Sequence, residues 1–160
     1  MIRIVALDPG GTTGWATWTD YPLEKDRWEC GHIGPEPHHN ALDQFLGMQQ
    51  TNKFVIVCES FEYRNQSRAG LVLDSCEYIG VVKRFCQERG VLLHMQTAAM
   101  GKGFVKDNNL RALGLWSGAR WKHAMDARRH LLYYMVGSKN TPTSFVAPEL
   151  RLGLLRDGWK

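Results

Sequence analysis

The chain has 160 residues, 44% of them hydrophobic and 22% charged, with a net charge of +4 and a pI near 9.0. That is enough chain for one domain with its own core, and too apolar a composition for a disordered one. No apolar run reaches the ~18 residues of a membrane span, and MIRIVALD carries no h-region and no cleavage site, so a cytoplasmic protein with no membrane partner is expected.

In chain order, IRIVALD (2–8) predicts a strand rich in β-branched residues that ends on an acid, Asp8, just before a Pro-Gly-Gly turn. TGWATWT (13–19) and DRWECGHI (26–33) predict two more strands, and their short Gly- and Pro-bearing connections predict an antiparallel meander. A helix is expected within 37–50, with Ala41, Phe45 and Met48 on one face. FVIVC (54–58) is the continuous apolar run of a strand buried on both sides, and Glu59 follows it. A long helix is expected over 70–89, stopped by Gly90. VLLHM (91–95) predicts a fifth strand. A basic, glycine-bearing loop at 99–104, a short helix near 105–115 and a helix over about 121–136 complete the order. The segment 138–160, with Pro142 and Pro148, has weak periodicity and reads as a C-terminal tail to a domain over 1–137.

The order β-β-β-α-β-α-β-α-α predicts an α/β fold. Its mixed five-stranded sheet would have three meandering antiparallel strands, two parallel strands and helices on both faces. In such a sheet the first and fourth strands lie side by side, and sites form at the carboxyl ends of parallel strands. Asp8 and Glu59 then meet at one edge. On the last helix, His123 and Asp126 share a face beside Ala124, Ala127, Leu131 and Met135, with His130 one turn further along.

Each acid alone has a plain reading: Asp8 as a turn residue, Glu59 as a solvated strand end, H-x-x-D as a polar helix face. Asp8–Thr12, DPGGT, also resembles the phosphate loop of sugar-kinase or actin-like ATPases. That class needs a second similar domain, for which 160 residues leave no room. The conjunction favours a cation site, because three carboxylates around one point repel one another in a partly dry environment. Mg²⁺ or Mn²⁺ takes carboxylate and phosphate oxygens. Two such ions about 4 Å apart suit an in-line phosphoryl displacement.

Four cysteines, Cys30, Cys58, Cys76 and Cys86, form no C-x-x-C pair and read as reduced, small buried hydrophobes. His32, His38 and His39 carry no assigned role. Between 101 and 130, seven basic residues (Lys102, Lys106, Arg111, Arg120, Lys122, Arg128 and Arg129) stand against Asp107 and Asp126. This local +5 exceeds the charge of the whole chain and suits either a solvated helix face or a surface along phosphates.

Four stretches, in order, resemble the RuvC-type Holliday junction resolvases over residues 2–137. LDPGGTTGWA resembles their opening strand and VIVCES their second acidic motif. CEYIGVVKRFCQERGVLLHMQ resembles their long glycine-bearing helix and following strand. KHAMDARRH resembles their last motif in its His-and-Asp variant, closest to compact phage-encoded members.

The resemblance implies a ribonuclease H-like fold and a homodimer formed through helix 70–89. It implies Mg²⁺- or Mn²⁺-dependent cutting of branched DNA, with two ions per site and 5′-phosphate products. By motif position Asp8, Glu59 and Asp126 are ligands, and His123 is a ligand or orients the attacking water. Lys102 and Lys106 loosely match the basic loop at the scissile phosphate. Arg111 and the segment bearing Phe61, Tyr63, Arg64 and Arg68 are expected as further DNA contacts.

One departure is that the family's base-stacking aromatic, three residues after the second acid, is here Glu62. Either Phe61 or Tyr63 takes over that role, or Phe61 packs in the core; forks and flaps then join junctions as expected substrates. For the dimer, Leu71, Val82, Phe85 and Cys86, with Gly80 allowing close approach, supply a face that core packing explains equally well. The same four site residues would serve a ribonuclease H-like nuclease acting on an RNA–DNA hybrid or structured RNA. A catalytically silent DNA binder would have no need of clustered acids near a phosphate. No feature points to a particular helicase partner.

Overall fold

The computed structural model describes residues 1–20, 27–34, 38–51, 53–61 and 74–137. Five strands, β1 (Ile2–Asp8), β2 (Thr13–Thr19), β3 (Trp28–Ile33), β4 (Lys53–Glu59) and β5 (Leu92–Gln96), form one sheet in the order β3-β2-β1-β4-β5. The first three pair antiparallel, while β1 and β5 flank β4 in parallel. This is the expected mixed sheet, and it is ribonuclease H-like in its order.

The period-2 alternation of the strands sorts two cores. Val5, Leu7, Phe54, Ile56 and Cys58 face α1 (His38–Gln49) and α2 (Asp74–Arg89), meeting Leu42, Phe45, Leu46, Val82 and Phe85. Ile4, Ala6, Ala16, Trp18, Val55 and Val57 face α5 (Lys122–Leu132) and the π-helical turn Tyr133–Gly137, meeting Ala127, Leu131, Tyr134 and Met135. A smaller cluster of Val105, Leu110, Leu115, Met125 and Leu132 ties α4 (Asp107–Ala112) to α5. Among the described residues no helix is long and apolar enough to cross a membrane.

Several elements differ from expectation in ways that bear on the site. Met48 is 74% exposed, and the buried stripe of α1 runs through Leu42, Phe45 and Leu46. The fifth strand sits one residue later than expected, which brings Gln96 into register with Glu59.

The 99–104 segment is not a loop but a helix, α3 (Ala98–Phe104). Its two glycines lower helix propensity by about 1 kcal/mol each, but a Cβ on Gly101 would stand 2.6 Å from the His130 ring. Packing against α5 therefore requires the glycine and overrides the propensity.

Helix α2 ends as expected, with Gly90 at φ +64° and the Val91 N–H donating to the Cys86 carbonyl at 2.9 Å. Val82, Phe85 and Cys86 point into the core, so they do not form a dimer face; Gly80, Lys83, Arg84 and Gln87 lie on the outer side. Cys58 and Cys86 are buried as expected, Cys30 is half-buried and Cys76 is exposed. Leu71, Tyr63, Arg64, Arg68 and the 138–160 tail lie outside the described residues.

Candidate active site

The parallel pairing of β1 with β4 sets Leu7 opposite Cys58, so Asp8 and Glu59 emerge side by side at the carboxyl edge of the sheet. Asp8 stands opposite Gly14 on β2. A Cβ at Gly14 would fall 2.1 Å from the His123 carbonyl carbon. The bare backbone of Gly14 thus lets the start of α5 rest on the sheet. His123 Nδ1 then lies 2.7 Å from Asp8 Oδ2. Asp126, one turn on, faces the same point.

Lys102 of α3 fills the centre. Its Nζ lies 3.6 Å from Asp8 Oδ1, 3.0 Å from Glu59 Oε2 and 3.3 Å from Asp126 Oδ2. All five residues expected in the catalytic set (Asp8, Glu59, Lys102, His123 and Asp126) therefore converge. Two of these carboxylates are held from α5 as well. Arg129 donates through Nη1 to Asp126 Oδ1 and through Nη2 to Asp107 Oδ1. His130 pairs through Nε2 with Glu59 Oε2 at 2.7 Å, and through Nδ1 with Gln96 Oε1 at 2.8 Å.

The charges are tightly interdependent. Asp8 is only 5% exposed, and burial pushes its carboxyl above the usual range. The His123 bond opposes that rise and the neighbouring Glu59 adds to it. Burial also works against ionised Glu59, but hydrogen bonds from His130, Asp8 and Lys102 prevail and bring it to about 2. Of the two acids, Asp8 is the one that holds a proton more readily. Burial alone would lower Lys102, yet Asp8, Glu59 and Asp126 together raise it. The Asp8 bond raises His123 against a smaller effect of burial.

The donor set fits a hard divalent cation by chemistry: three carboxylates stand around a point that already holds a positive charge, and an imidazole is bonded to one of them. The distances to that charge, 3.0–3.6 Å, are those of an ammonium and wider than the ~2.1 Å of Mg²⁺. Accordingly, among the described residues no three His, Cys, Asp or Glu side chains are closed to ligating distance.

A cleft of about 270 Å³ opens beside Glu59 and Lys102, lined also by Pro9, Ser60, Phe61, Ser75, Ile79 and Ala98. Phe61 is 40% exposed and lines this cleft, so its alternative as a core residue does not hold.

Of the basic residues near 101–130, Lys106, Arg111, Arg120 and Lys122 are exposed. The Arg111 guanidinium lies 4.4 Å from the Trp116 ring centre. Arg128 and Arg129 are not surface contacts for DNA. Arg128 is buried and donates to Ser117 Oγ at 2.9 Å and to the Leu115 carbonyl, while Arg129 is buried on Asp126 and Asp107.

The carboxylate partners Arg129 and His130, and Gln96 behind His130, were not legible as such. The one sequence signal was the spacing of DARRH, which sets His130 one turn beyond Asp126.

No family model matches the chain, and no curated protein matches it. Among solved structures it is similar to Thermus thermophilus RuvC in complex with a Holliday junction substrate, at 16% identity and a TM-score of 0.61 over 84% of this chain and 92% of that one. It is similar to another Thermus thermophilus RuvC structure at 15% identity and a TM-score of 0.58, over 83% and 93%. The fold is RuvC-like, as the motif resemblance implied.

Proposed function

On this RuvC-like fold, we propose that the protein is a metal-dependent, structure-selective endodeoxyribonuclease that cuts Holliday junctions and related branched DNA. The observation that carries the reading is the convergence of Asp8, Glu59 and Asp126 on one positive centre at the sheet edge, with His123 bonded to Asp8 beside it. Charges are not gathered this way for stability, because even well-paired buried charges are often no more stabilising than apolar side chains of similar volume.

In this reading Asp8, Glu59, Asp126 and His123 hold Mg²⁺ or Mn²⁺, two ions per site. When bound, these supply the charge that activates water and stabilises the leaving 3′ oxygen, giving 5′-phosphate products. Lys102 then turns its donors from the carboxylates to the phosphate being cut. His123, half-exposed and bonded to Asp8, completes the ligand set or orients the incoming water. Lys106, Arg111, Arg120 and Lys122 carry the DNA by its phosphates, which gives position without sequence.

Phe61 offers a ring to an unstacked base at the cleft, with Tyr63, Arg64 and Arg68 on the segment that follows. A homodimer through the outer side of α2 would set two such sites for paired cuts. Residues 1–137 form the nuclease domain in this reading, 138–160 its tail, and the setting is the cytoplasm.

The test is cleavage of a four-way DNA junction beside a fork, a linear duplex and an RNA–DNA hybrid, with Mg²⁺, Mn²⁺ or EDTA. Symmetric, metal-dependent nicks in the junction are expected. Cutting of the hybrid alone would transfer the site to RNA-directed chemistry, and junction binding with no cutting would overturn the nuclease reading.

A further inference from the structure

We infer that His130 is a positioning residue for the acidic cluster. Its Nε2–H fixes Glu59, while Gln96 and Gly101 hold its ring in place. The inference rests on the nuclease reading and extends it to residues outside the ligand set.

His130 is fully buried, yet neither ring nitrogen is left to apolar surroundings. Nε2 lies 2.7 Å from Glu59 Oε2 and Nδ1 lies 2.8 Å from the Gln96 side chain. Glu59 also accepts from Lys102 at 3.2 Å, as an ionised carboxylate does. The proton between imidazole and acid therefore belongs to Nε2. With both nitrogens engaged, His130 has no lone pair free for a cation and is not a ligand. It steers one, as the second nitrogen of a metal-site histidine or an outer imidazole commonly does.

Two further features serve the ring. Gln96 ends β5 directly opposite Glu59, and its side-chain amide meets His130 Nδ1 at 2.8 Å. With the proton on Nε2, Nδ1 accepts, so the amide turns its N–H toward the ring and fixes both the tautomer and the ring's orientation. Gly101 lies flat on the ring: a Cβ would stand 2.6 Å from Nδ1 and 2.8 Å from Cε1. The next residue is Lys102, so the same imidazole sets how closely α3 brings the ammonium to the acids. Asp8 differs, since its partner His123 is 47% exposed and water can replace it. No water can replace His130.

The test uses the full chain, with Mn²⁺ titrated by electron paramagnetic resonance in the absence of DNA. Junction cleavage and thermal midpoints are measured alongside. His130→Leu is expected to weaken Mn²⁺ binding about 10–100-fold. His130→Gln, which can return an N–H to Glu59, should recover most of that loss. Gly101→Ala should weaken binding in the same direction.

If His130→Leu does not fold, Gln96→Leu takes its place, with weaker Mn²⁺ binding expected and unchanged binding counting against the inference. In metal-free ¹⁵N-histidine spectra, an Nε2–H resonance protected from exchange should shift in Glu59→Gln; its absence would overturn the inference. Wild-type protein that binds Mn²⁺ and cuts, with His130→Leu folded and indistinguishable from it, overturns the inference alone. Wild-type protein that neither binds Mn²⁺ nor cuts any substrate overturns the nuclease reading as well.

Discussion

The two helices that cover the sheet from opposite sides solve the same packing problem differently. Helix α2 buries Tyr78, Ile79, Val82, Phe85 and Cys86 and keeps its charges outside. Helix α5 buries Ala124, Ala127 and Leu131 at the same helical spacing, and with them Asp126, Arg128, Arg129 and His130. An apolar α5 would cover the sheet without having to pair buried charges. The buried charges of α5 are each engaged with another polar group, and most of those groups lead to the cluster around Lys102. The difference sets an ionic, polar face on one side of the sheet against a plainly apolar one on the other.

The largest effect expected is on the chemistry of the α5 side. If the proposed function holds, Asp8→Asn should leave the fold intact and reduce junction cleavage by at least about 10³-fold, since a proposed ligand of the hydrolytic centre is lost. Its thermal midpoint without metal should hold or rise, because Asp8 is the carboxyl that burial disfavours in its charged form. Normal cutting by Asp8→Asn would break the assignment. On the α2 side the expectation reverses. Phe85→Ala should lower stability by about 3–5 kcal/mol, read by denaturant unfolding. The folded fraction should cut at the wild-type rate. A folded Phe85→Ala protein with no activity would erase the contrast between the faces.

Smaller effects sharpen the role of Lys102. Without metal it is the common cation of three carboxylates, so Lys102→Met should cost about 1–2 kcal/mol, discounted for its partial exposure. Mg²⁺ should restore more stability to this variant than to the wild type. Equal restoration would mean that the ammonium and the cation do not share a place.

Acidity should separate Asp8 from Glu59. Glu59, lowered from 4.5 to about 2, adds stability that is full above pH 4.5 and is lost as pH falls toward 2. Asp8 is raised, so it carries a penalty above its folded pKa that acid relieves. Metal-free protein should therefore gain stability on mild acidification before losing it, and saturating Mg²⁺ should remove the initial gain. A monotonic fall in both conditions would contradict the proton assignment.

Much of this was legible because strand ends and helical spacing are local properties. The apolar runs 2–7 and 54–58 fixed where Asp8 and Glu59 emerge, and H-x-x-D fixed a shared helix face. Other features depended on tertiary contact. Gly101 reads as a helix breaker until the His130 ring is in place beneath it. Gln96 reaches the His130 ring, in register with Glu59, only because β5 is set one residue later than its apolar run suggests. Arg128 and Arg129 count as surface charge in any sequence tally, yet both are spent inside. The partners of the acids depend on which side of α5 faces the sheet. That in turn depends on Gly14, whose lack of a side chain gains meaning only with the His123 backbone against it.

The smallest expected effect separates the two kinds of basic residue. Arg111 is exposed over Trp116, whereas Arg128 is buried on Ser117 and Leu115. A side chain that touches a phosphate releases about one counterion, so Arg111→Ala should reduce the slope of log affinity against log salt by about 1. Its stability should stay within about 0.5 kcal/mol of wild type. Arg128→Leu should do the opposite, leaving the salt slope unchanged while lowering stability, because the Leu115 carbonyl loses its donor in the interior. Junction binding by an uncleaving Asp8→Asn background, measured over a range of salt, reads both slopes without interference from cutting. An unchanged slope in Arg111→Ala would move the DNA path off this face; a changed slope in Arg128→Leu would mean that the buried guanidinium orders the surface that phosphates meet.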